Sequence, residues 1–128
     1  MAQKYLTTTI QTLWESLWTT QDGAVETFDS TSVADVSVRE LFPGIRLRSL
    51  WRGAHGASAH VLEIDPGSTW QGIDVHEPGP EEVYVVDGVF NDGTRDYPAG
   101  SFIHCPAGSS HVPQSTQGCT LFLFYPEG

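Results

Sequence analysis

From residue 36 onward, apolar and polar residues alternate with a period of two, in short runs that end at turn-forming residues. In residues 45–52, the odd positions Ile45, Leu47, Ser49 and Trp51 alternate with the arginines Arg46, Arg48 and Arg52. Such alternation places every second side chain on one face of a strand. A further β-rich run, residues 81–86, ends at Asp87-Gly88, which is a strong hairpin signal. Short strands separated by turns throughout this region predict an all-β sandwich or closed barrel.

The chain length and turn content agree with one small barrel. The chain has 128 residues, the usual size of one domain, and its 13 glycines and 8 prolines supply many turns. No apolar run approaches the ~20 residues of a membrane span, and no signal peptide is recognisable. We therefore expect a cytoplasmic protein, in which Cys105 and Cys119 are reduced thiols.

The charge balance restricts the partners that this surface can bind. Six basic and 16 acidic residues give a formal net charge of -10. Such a surface repels phosphate backbones and anionic lipids, so we expect no nucleic-acid partner and no membrane partner. Solubility is a sufficient reason for the acidity.

Residues 1–35 differ in pattern from the rest of the chain. Leu13, Trp14, Leu17 and Trp18 recur at helical spacing, which predicts a short amphipathic helix near residues 10–19. The apolar stripe of this helix is expected to pack on the barrel or on a second subunit. We therefore divide the chain into an N-terminal arm or helix, residues 1–35, and a barrel, residues 36–128.

The first of two histidine-bearing segments runs from Asp74 to Gly88. Asp74 and His76 are two residues apart, so on a strand their side chains point to the same face. A bend at residues 78–80 then returns the chain, and Glu81 begins the next strand. Glu81 shares its parity with apolar residues of that strand, which seats its carboxylate above an apolar interior. The segment can therefore bring two or three ligand atoms to one point.

The second segment, residues 100–111, is rich in glycine, proline and serine and ends at His111. Its glycines and proline predict a sharp turn, from which His111 emerges. Imidazole and carboxylate ligands together suit iron, manganese, nickel, cobalt or zinc. Two histidines and one carboxylate with open positions form the ligand set of non-haem iron sites. We therefore predict one divalent metal ion bound by His76, Glu81 and His111, with iron(II) favoured.

The spacing of these residues resembles two motifs of the cupin superfamily. The later part of the first motif is matched by His76-x4-Glu81-x6-Gly88, and the second motif by Gly100-x5-Pro106-x-Gly108-x2-His111. More narrowly, the stretch from Phe42 to Cys119 is similar to the ChrR-like cupin domain. The residues that carry this narrower resemblance are Leu50-Trp51-Arg52, Glu81-Glu82-Val83, Asp96-Tyr97-Pro98-Ala99-Gly100, Pro106-Ala-Gly-Ser-Ser-His111-Val-Pro and Gln117-Gly118-Cys119. The resemblance implies a single-domain cupin, a double-stranded β-helix or jelly-roll barrel.

Asp74 departs from the family pattern, which begins with His-x-His where this chain has Asp74-Val-His76. A carboxylate in that position can still ligate, which gives two histidines and two carboxylates and favours harder ions such as iron(II) or manganese(II). Alternatively, Asp74 accepts a hydrogen bond from a metal-bound histidine and orients it. Both roles remain open on the sequence.

Several other polar residues compete for a role in the site. His104 shares its parity with Phe102, so it can face the pocket as a base or substrate contact, although a packed or exposed histidine fits equally. Together with Glu81 and Asp74, it completes the set of catalytic candidates. Glu82 has the opposite parity from Glu81 and is expected to point away. Cys105 and Cys119 lack CxxC spacing and are interpreted as small core residues.

The resemblance implies a metal-dependent enzyme that acts on a small organic molecule. Iron-dependent oxygenation of a ketone or enol is the leading hypothesis, and lyase or isomerase chemistry is open. The alternative is a metal-binding sensor module without catalysis, since ChrR itself is an anti-sigma factor whose cupin domain acts as a sensor. A storage or structural cupin is a third possibility. The surplus of tryptophans, Trp14, Trp18 and Trp51, leads us to expect a homodimer.

Overall fold

The computed structural model describes residues 27–128, of which Thr31–Gly128 form one compact unit. The helix expected near residues 10–19 lies outside the described residues. Within them, the helical elements are two single 3-10 turns, Val33–Asp35 and Ala54–Gly56. In this part of the chain, no helix has the length and apolar character needed to cross a membrane.

Eleven strands account for most of the described chain, which confirms the expected all-β class. Their bounds are β1 Val38–Phe42, β2 Ile45–Arg52, β3 Ser58–Ile64, β4 Ser68–Thr69, β5 Asp74–Val75, β6 Glu81–Asn91, β7 Asp96–Pro98, β8 Phe102–Cys105, β9 Ser110–His111, β10 Gln114–Ser115 and β11 Cys119–Tyr125. Every pairing between them is antiparallel.

Strand β6 is the longest and connects the two halves of the curled sheet. Its first half pairs with β11 and β8, and its second half pairs with β7 and β10. The change of partners falls at Gly88, whose φ is +77°. A Cβ at this position would lie 2.0 Å from the carbonyl oxygen of Gly118, the residue before β11. Only glycine therefore fits where β6 passes from one half of the sheet to the other.

The inner face of the barrel is apolar and follows the alternation in the sequence. Glu81, Val83 and Val85 on β6 all point inward and are buried, as their shared parity predicts. The buried core comprises Ile45, Leu62, Ile64, Val83, Val85, Phe90, Cys105, Cys119, Leu121 and Leu123. Both cysteines are free thiols, in agreement with the sequence expectation.

Trp51 shows where the simple alternation ends. Ser49 on β2 pairs with His60, but Trp51 pairs with Ala59, because a bulge lies between Ser49 and Trp51. A bulge sets two residues of one strand against one residue of its partner, which reverses the parity beyond it. Trp51 consequently lies on the outer face and is 40% exposed.

Candidate metal centre

The short β5–β9 pair joins the two histidine-bearing segments. Asp74 lies opposite His111 in its register. The pairing continues past the strand ends, because the backbone N–H of His76 donates to the carbonyl of Ser109 at 2.9 Å. The carbonyl of His76 in turn accepts from the N–H of Gly108 at 2.7 Å. The turn before His111 is thereby held against the strand that carries Asp74 and His76.

Strand β6 brings the second carboxylate to the same place. Glu81 is the first residue of β6 and lies opposite Cys105 in the β6–β8 register. Both side chains are buried. The ligand atoms of His76, Glu81, Cys105 and His111 all lie within 4.8 Å of one another. Two distant segments therefore supply four donors to one point inside the barrel.

The separations of the donor atoms fit a shared metal ion. Nε2 of His76 lies 3.0 Å from Oε1 of Glu81 and 3.1 Å from Nε2 of His111. Oδ2 of Asp74 lies 3.0 Å from Nε2 of His111 and 3.6 Å from Nε2 of His76. Bonds of about 2.0–2.2 Å to one ion place neighbouring nitrogen and oxygen ligands about 2.8–3.6 Å apart. The residues present therefore fit a divalent metal ion.

The carboxylate of Glu81 has one satisfied oxygen and one orphaned oxygen. The hydroxyl of Tyr125 donates to Oε2. Oε1 is buried and lies 3.0 Å from Nε2 of His76, so among the described residues it accepts no hydrogen bond while that ring is neutral. A buried carboxylate oxygen without a donor is costly, and a cation at the cluster removes that cost. The orphaned atom faces the two histidines, which is where a metal ion would be held.

Ser109 fixes the tautomer of His76. Its hydroxyl donates to the carbonyl of Pro106 at 2.6 Å and lies 2.9 Å from Nδ1 of His76. Since the hydroxyl has one hydrogen, it accepts from Nδ1, so Nδ1 carries a proton and Nε2 of the neutral ring presents a lone pair to the cluster. The Glu81 carboxylate beside Nε2 raises the pKa of His76, an effect that burial opposes.

Burial and nearby negative charge both raise the pKa values of two neighbouring groups, the thiol of Cys105 and the phenol of Tyr125. Burial, reinforced by the Glu81 carboxylate, raises the pKa of Cys105 to about 12. The same causes raise the pKa of Tyr125 far above its ordinary value. Without a metal ion, both groups therefore keep their protons at neutral pH, and Tyr125 acts as a donor to Glu81.

A mostly apolar cavity of about 200 Å³ opens beside the cluster. Asp74, Glu81 and His111 contribute to its wall, as do His60 and Tyr125. The remaining lining residues are Leu41, Leu47, Leu62, Trp70, Val83, Phe90, Pro113, Leu121 and Leu123. An apolar cavity of about 150 Å³ holds benzene. A molecule with one ring and a few further atoms therefore fits next to the candidate metal position.

Of the sequence-predicted site residues, the structure brings together Asp74, His76, Glu81 and His111. His104 does not join them, contrary to the expectation that it can face the pocket. Its side chain is 53% exposed, and Nδ1 lies 2.8 Å from the Glu82 carboxylate on the outer face. On β8, Phe102 is exposed, whereas Cys105, the residue after His104, is buried. The face that His104 shares with Phe102 is therefore the outer one.

Three residues near the site carried no strong signal in the sequence. Cys105 is a core residue, as the sequence predicts, and its sulfur also lies in the cluster. Tyr125 lies close to the end of the chain, and only the β11–β6 pairing brings it to Glu81. His60 shares its parity with inward residues of β3, and its two ring nitrogens lie 2.9 Å from the hydroxyls of Ser49 and Ser58.

The curled antiparallel sheet, with histidines and carboxylates converging on its interior, defines a cupin with a candidate metal site. Comparison with family models narrows this class. The chain belongs to the family described as the ChrR Cupin-like domain, whose model matches residues 27–127. No protein with a curated description matches the sequence.

Solved structures with the same fold come from several bacteria. An RmlC-like cupin from Shewanella frigidimarina superposes with a TM-score of 0.68 at 19% identity, over 80% of this chain and 93% of the other. The polyketide cyclase RemF from Streptomyces resistomycificus superposes with a TM-score of 0.67 at 20% identity, over 80% and 81%. A chain in the complex of Rhodobacter sphaeroides SigE with the anti-sigma ChrR gives a TM-score of 0.62 at 27% identity, over 73% and 50%. This chain therefore spans half of the length of that relative.

Proposed function

We propose that this protein is a metal-dependent cupin enzyme that acts on one small organic molecule held in the barrel. The leading reaction is iron(II)-dependent oxygenation of a ketone or enol. The observation that carries the proposal is that the orphaned oxygen of Glu81 and the Nε2 atoms of His76 and His111 converge beside an apolar cavity. Such cavities with a few convergent polar groups are the usual binding sites of small molecules.

The donor set supports iron(II) as the leading choice of metal. Two imidazoles and a carboxylate, with positions left open, suit a non-haem iron site, and a second carboxylate from Asp74 favours a harder ion. Manganese, nickel, cobalt and zinc remain compatible with these donors. When bound, the ion would supply Lewis acidity toward an enolate oxygen and, as iron(II), would mediate the transfer of electrons from the organic substrate, which is oxidised, to dioxygen.

The residues of the chain divide the remaining work. Glu81 is held by Tyr125 and buried, so it serves as a ligand. Asp74 also lines the cavity, but its side chain is 24% exposed and contacts the imidazole of His111 instead of a hydroxyl donor, so it is the better candidate to accept a proton from the substrate carbon. The apolar walls exclude water from that transfer.

A sensor or binding module is the second candidate function. It is favoured by membership of the ChrR Cupin-like family and by the 27% identity to a chain of the SigE–ChrR complex. In that case, the same cavity and metal site bind a small molecule without turnover. A protein partner then binds the liganded and ligand-free forms with different affinities.

One experiment separates these candidates. The iron-loaded protein is mixed with a panel of small diketones and aromatic enols, and both oxygen uptake and ligand binding are measured. Oxygen uptake that matches substrate loss, and that disappears in His111→Ala, supports the enzyme. Binding without uptake supports the sensor, and neither binding nor uptake contradicts both. The exposed His104→Ala serves as the matched histidine control.

We also propose that the protein forms a homodimer through the outer face of the sheet. Phe122, Tyr84 and Phe102 form one cross-strand row on β11, β6 and β8. Tyr84 and Phe102 are 45% and 66% exposed, so this row presents apolar surface to solvent. Light scattering at micromolar concentration is expected to give twice the 14.0 kDa chain mass. The double variant Tyr84→Lys, Phe102→Lys is expected to be a monomer, and a monomeric wild type would contradict the proposal.

A further inference from the structure

We infer that Cys105 is a sulfur ligand of the metal centre, an inference that rests on the proposed metal binding. Cys105 ends β8 and lies opposite Glu81, the first residue of β6. The two side chains therefore leave neighbouring strands at the same level of the barrel. Both side chains are buried.

The distances place the sulfur within reach of the ion. The Sγ atom and the donors of His76, Glu81 and His111 lie within 4.8 Å of one another. A sulfur bonded at about 2.3 Å and a nitrogen or oxygen bonded at about 2.1 Å, on opposite sides of one ion, are about 4.4 Å apart. A rotation of the thiol or a small movement of the strand end covers the difference.

An independent observation indicates a cation at this point. Oε1 of Glu81 is buried, has no hydrogen-bond donor in the described part of the chain, and faces the cluster. Its partner oxygen is held by Tyr125, so Oε1 cannot turn away without breaking that hydrogen bond. A cation that satisfies Oε1 from within the cluster is also adjacent to the sulfur of Cys105.

Cys119, the second cysteine, serves as an internal comparison, because it is a core thiol outside the cluster in the same barrel. Cys119 is as buried as Cys105, at 6% against 7% exposure. It lies opposite Gly88 at the other end of the β6–β11 pair, beside Ser115, and belongs to no metal-binding cluster of the described residues. The two residues therefore differ in their neighbours and hardly at all in burial.

A thiolate ligand changes which metal the site prefers. Soft sulfur donors select zinc and cobalt over manganese, whereas carboxylates favour the harder ions. The sulfur of Cys105 therefore favours zinc and cobalt, whereas the carboxylate of Asp74 favours iron(II) and manganese(II). Removal of the sulfur is expected to weaken zinc binding at least about tenfold, with a smaller effect on manganese.

Cobalt(II) titration of the metal-free protein tests the inference by absorption spectroscopy. In the wild type, we expect a thiolate-to-cobalt charge-transfer band in the near ultraviolet, in addition to the visible ligand-field bands. Cys105→Ser is expected to lose the charge-transfer band while it keeps the ligand-field bands and bound cobalt. Cys119→Ser is expected to keep both, and Cys105→Ala provides a second substitution that adds no oxygen donor.

The outcomes separate this inference from the proposed function. If stoichiometric cobalt binds to the wild type without a charge-transfer band, or if Cys105→Ser and Cys105→Ala retain the band, Cys105 is not a ligand and the metal centre stands. If the wild type binds no cobalt, zinc or iron, both proposals are wrong. Circular dichroism of each variant establishes that the barrel is folded before its spectrum is interpreted.

Discussion

The hydroxyl of Ser109 accepts a hydrogen bond from Nδ1 of His76 at 2.9 Å and donates its own hydrogen to the carbonyl of Pro106. This pair connects the two histidine-bearing segments through a side chain that is not itself an expected ligand. It orients the imidazole so that Nε2 faces Glu81 and His111. The glycine- and proline-rich turn of the second segment therefore positions a candidate ligand of the first.

Ser109→Ala should weaken metal binding because it removes the acceptor that fixes the orientation and tautomer of His76. Loss of such a partner of a metal-bound histidine typically reduces metal affinity about 10–100-fold. Competition with a coloured chelator measures the change in affinity.

Ser101→Ala is the matched control for this prediction. Residues 98–101 repeat the sequence Pro-Ala-Gly-Ser of residues 106–109. The Ser101 hydroxyl also donates to the carbonyl three residues before it, at 2.6 Å, and it contacts no ligand of the cluster. Metal affinity should be unchanged in Ser101→Ala, and equal losses in both variants would show that the contact between Ser109 and His76 is not the cause.

His76→Ala and His111→Ala should each lower metal affinity by at least about 100-fold while the barrel stays folded. Both residues are expected ligands, and direct ligands contribute more than the groups that orient them. Elemental analysis of protein purified without chelator, with circular dichroism for the fold, measures both effects. His104→Ala, which changes an exposed histidine on the outer face, should keep its metal. Full occupancy in either ligand variant would mean that the site is misassigned.

Tyr125→Phe should reduce metal affinity about tenfold or more, since it frees Oε2 of Glu81 and lets the carboxylate rotate. The metal-free protein should also lose about 1–3 kcal/mol of unfolding free energy, because a buried carboxylate oxygen loses its donor. Tyr97→Phe is the control: Tyr97 donates to the Asp92 carboxylate at 2.7 Å, away from the cluster. Because this hydrogen bond involves neither His76, Glu81 nor His111, Tyr97→Phe should change stability with a smaller effect on metal affinity than Tyr125→Phe, as measured by denaturation with and without zinc.

The pH dependence of stability should have opposite signs in the metal-free and metal-loaded protein. The pKa of His76 is raised above 6.5, so its contribution to the metal-free protein is fully present below pH 6.5 and is lost as pH rises through the folded-state pKa. Metal binding requires the neutral imidazole, so metal-dependent stability increases over the same range. Thermal unfolding between pH 6 and 8, with chelator and with zinc, tests both slopes.

His76→Gln supplies the control for these pH slopes. Glutamine does not titrate, so the fall in metal-free stability with rising pH should disappear in this variant. A slope that persists unchanged would assign the effect to another group.

Strand alternation predicted which residues face the interior wherever a strand runs without a bulge. The inward parity of Glu81 and Val83 on β6 followed from local sequence alone. Trp51 did not follow its strand, because a bulge leaves no clear mark in the sequence. For β8, the sequence did not show which side chains face the interior. That orientation is set by the pairing with β6, which places Cys105 opposite Glu81 and His104 opposite Glu82.

The sequence predicted site residues that lie within the two motifs and none of those outside them. Asp74, His76, Glu81 and His111 lie within two short segments whose turns could be identified. Tyr125 could not be found in this way, since it is 44 residues from Glu81 along the chain and meets it through the β11–β6 pairing. Long-range register, and not residue type, decides which further side chains reach the cluster.

Asp74 provides the sharpest test of the ligand set, because its carboxylate contacts both histidines, at 3.0 and 3.6 Å. If Asp74 is a ligand, Asp74→Asn should lower metal affinity, since a neutral amide is a poorer ligand than a carboxylate. Asp74→His should retain metal and shift preference from iron and manganese toward zinc and nickel. Exposed Glu77→Gln removes the same charge nearby and should change neither property.

If Asp74 instead acts as the base, Asp74→Asn should separate metal binding from turnover. Metal content and affinity would stay at the wild-type level in this variant, while turnover would fall, since the amide cannot accept a proton. Parallel measurement of metal affinity and turnover in the wild type, both Asp74 variants and Glu77→Gln separates the two roles. Equal behaviour of all four proteins in every measurement would exclude Asp74 from the site, despite its distance of 3.0 Å from Nε2 of His111.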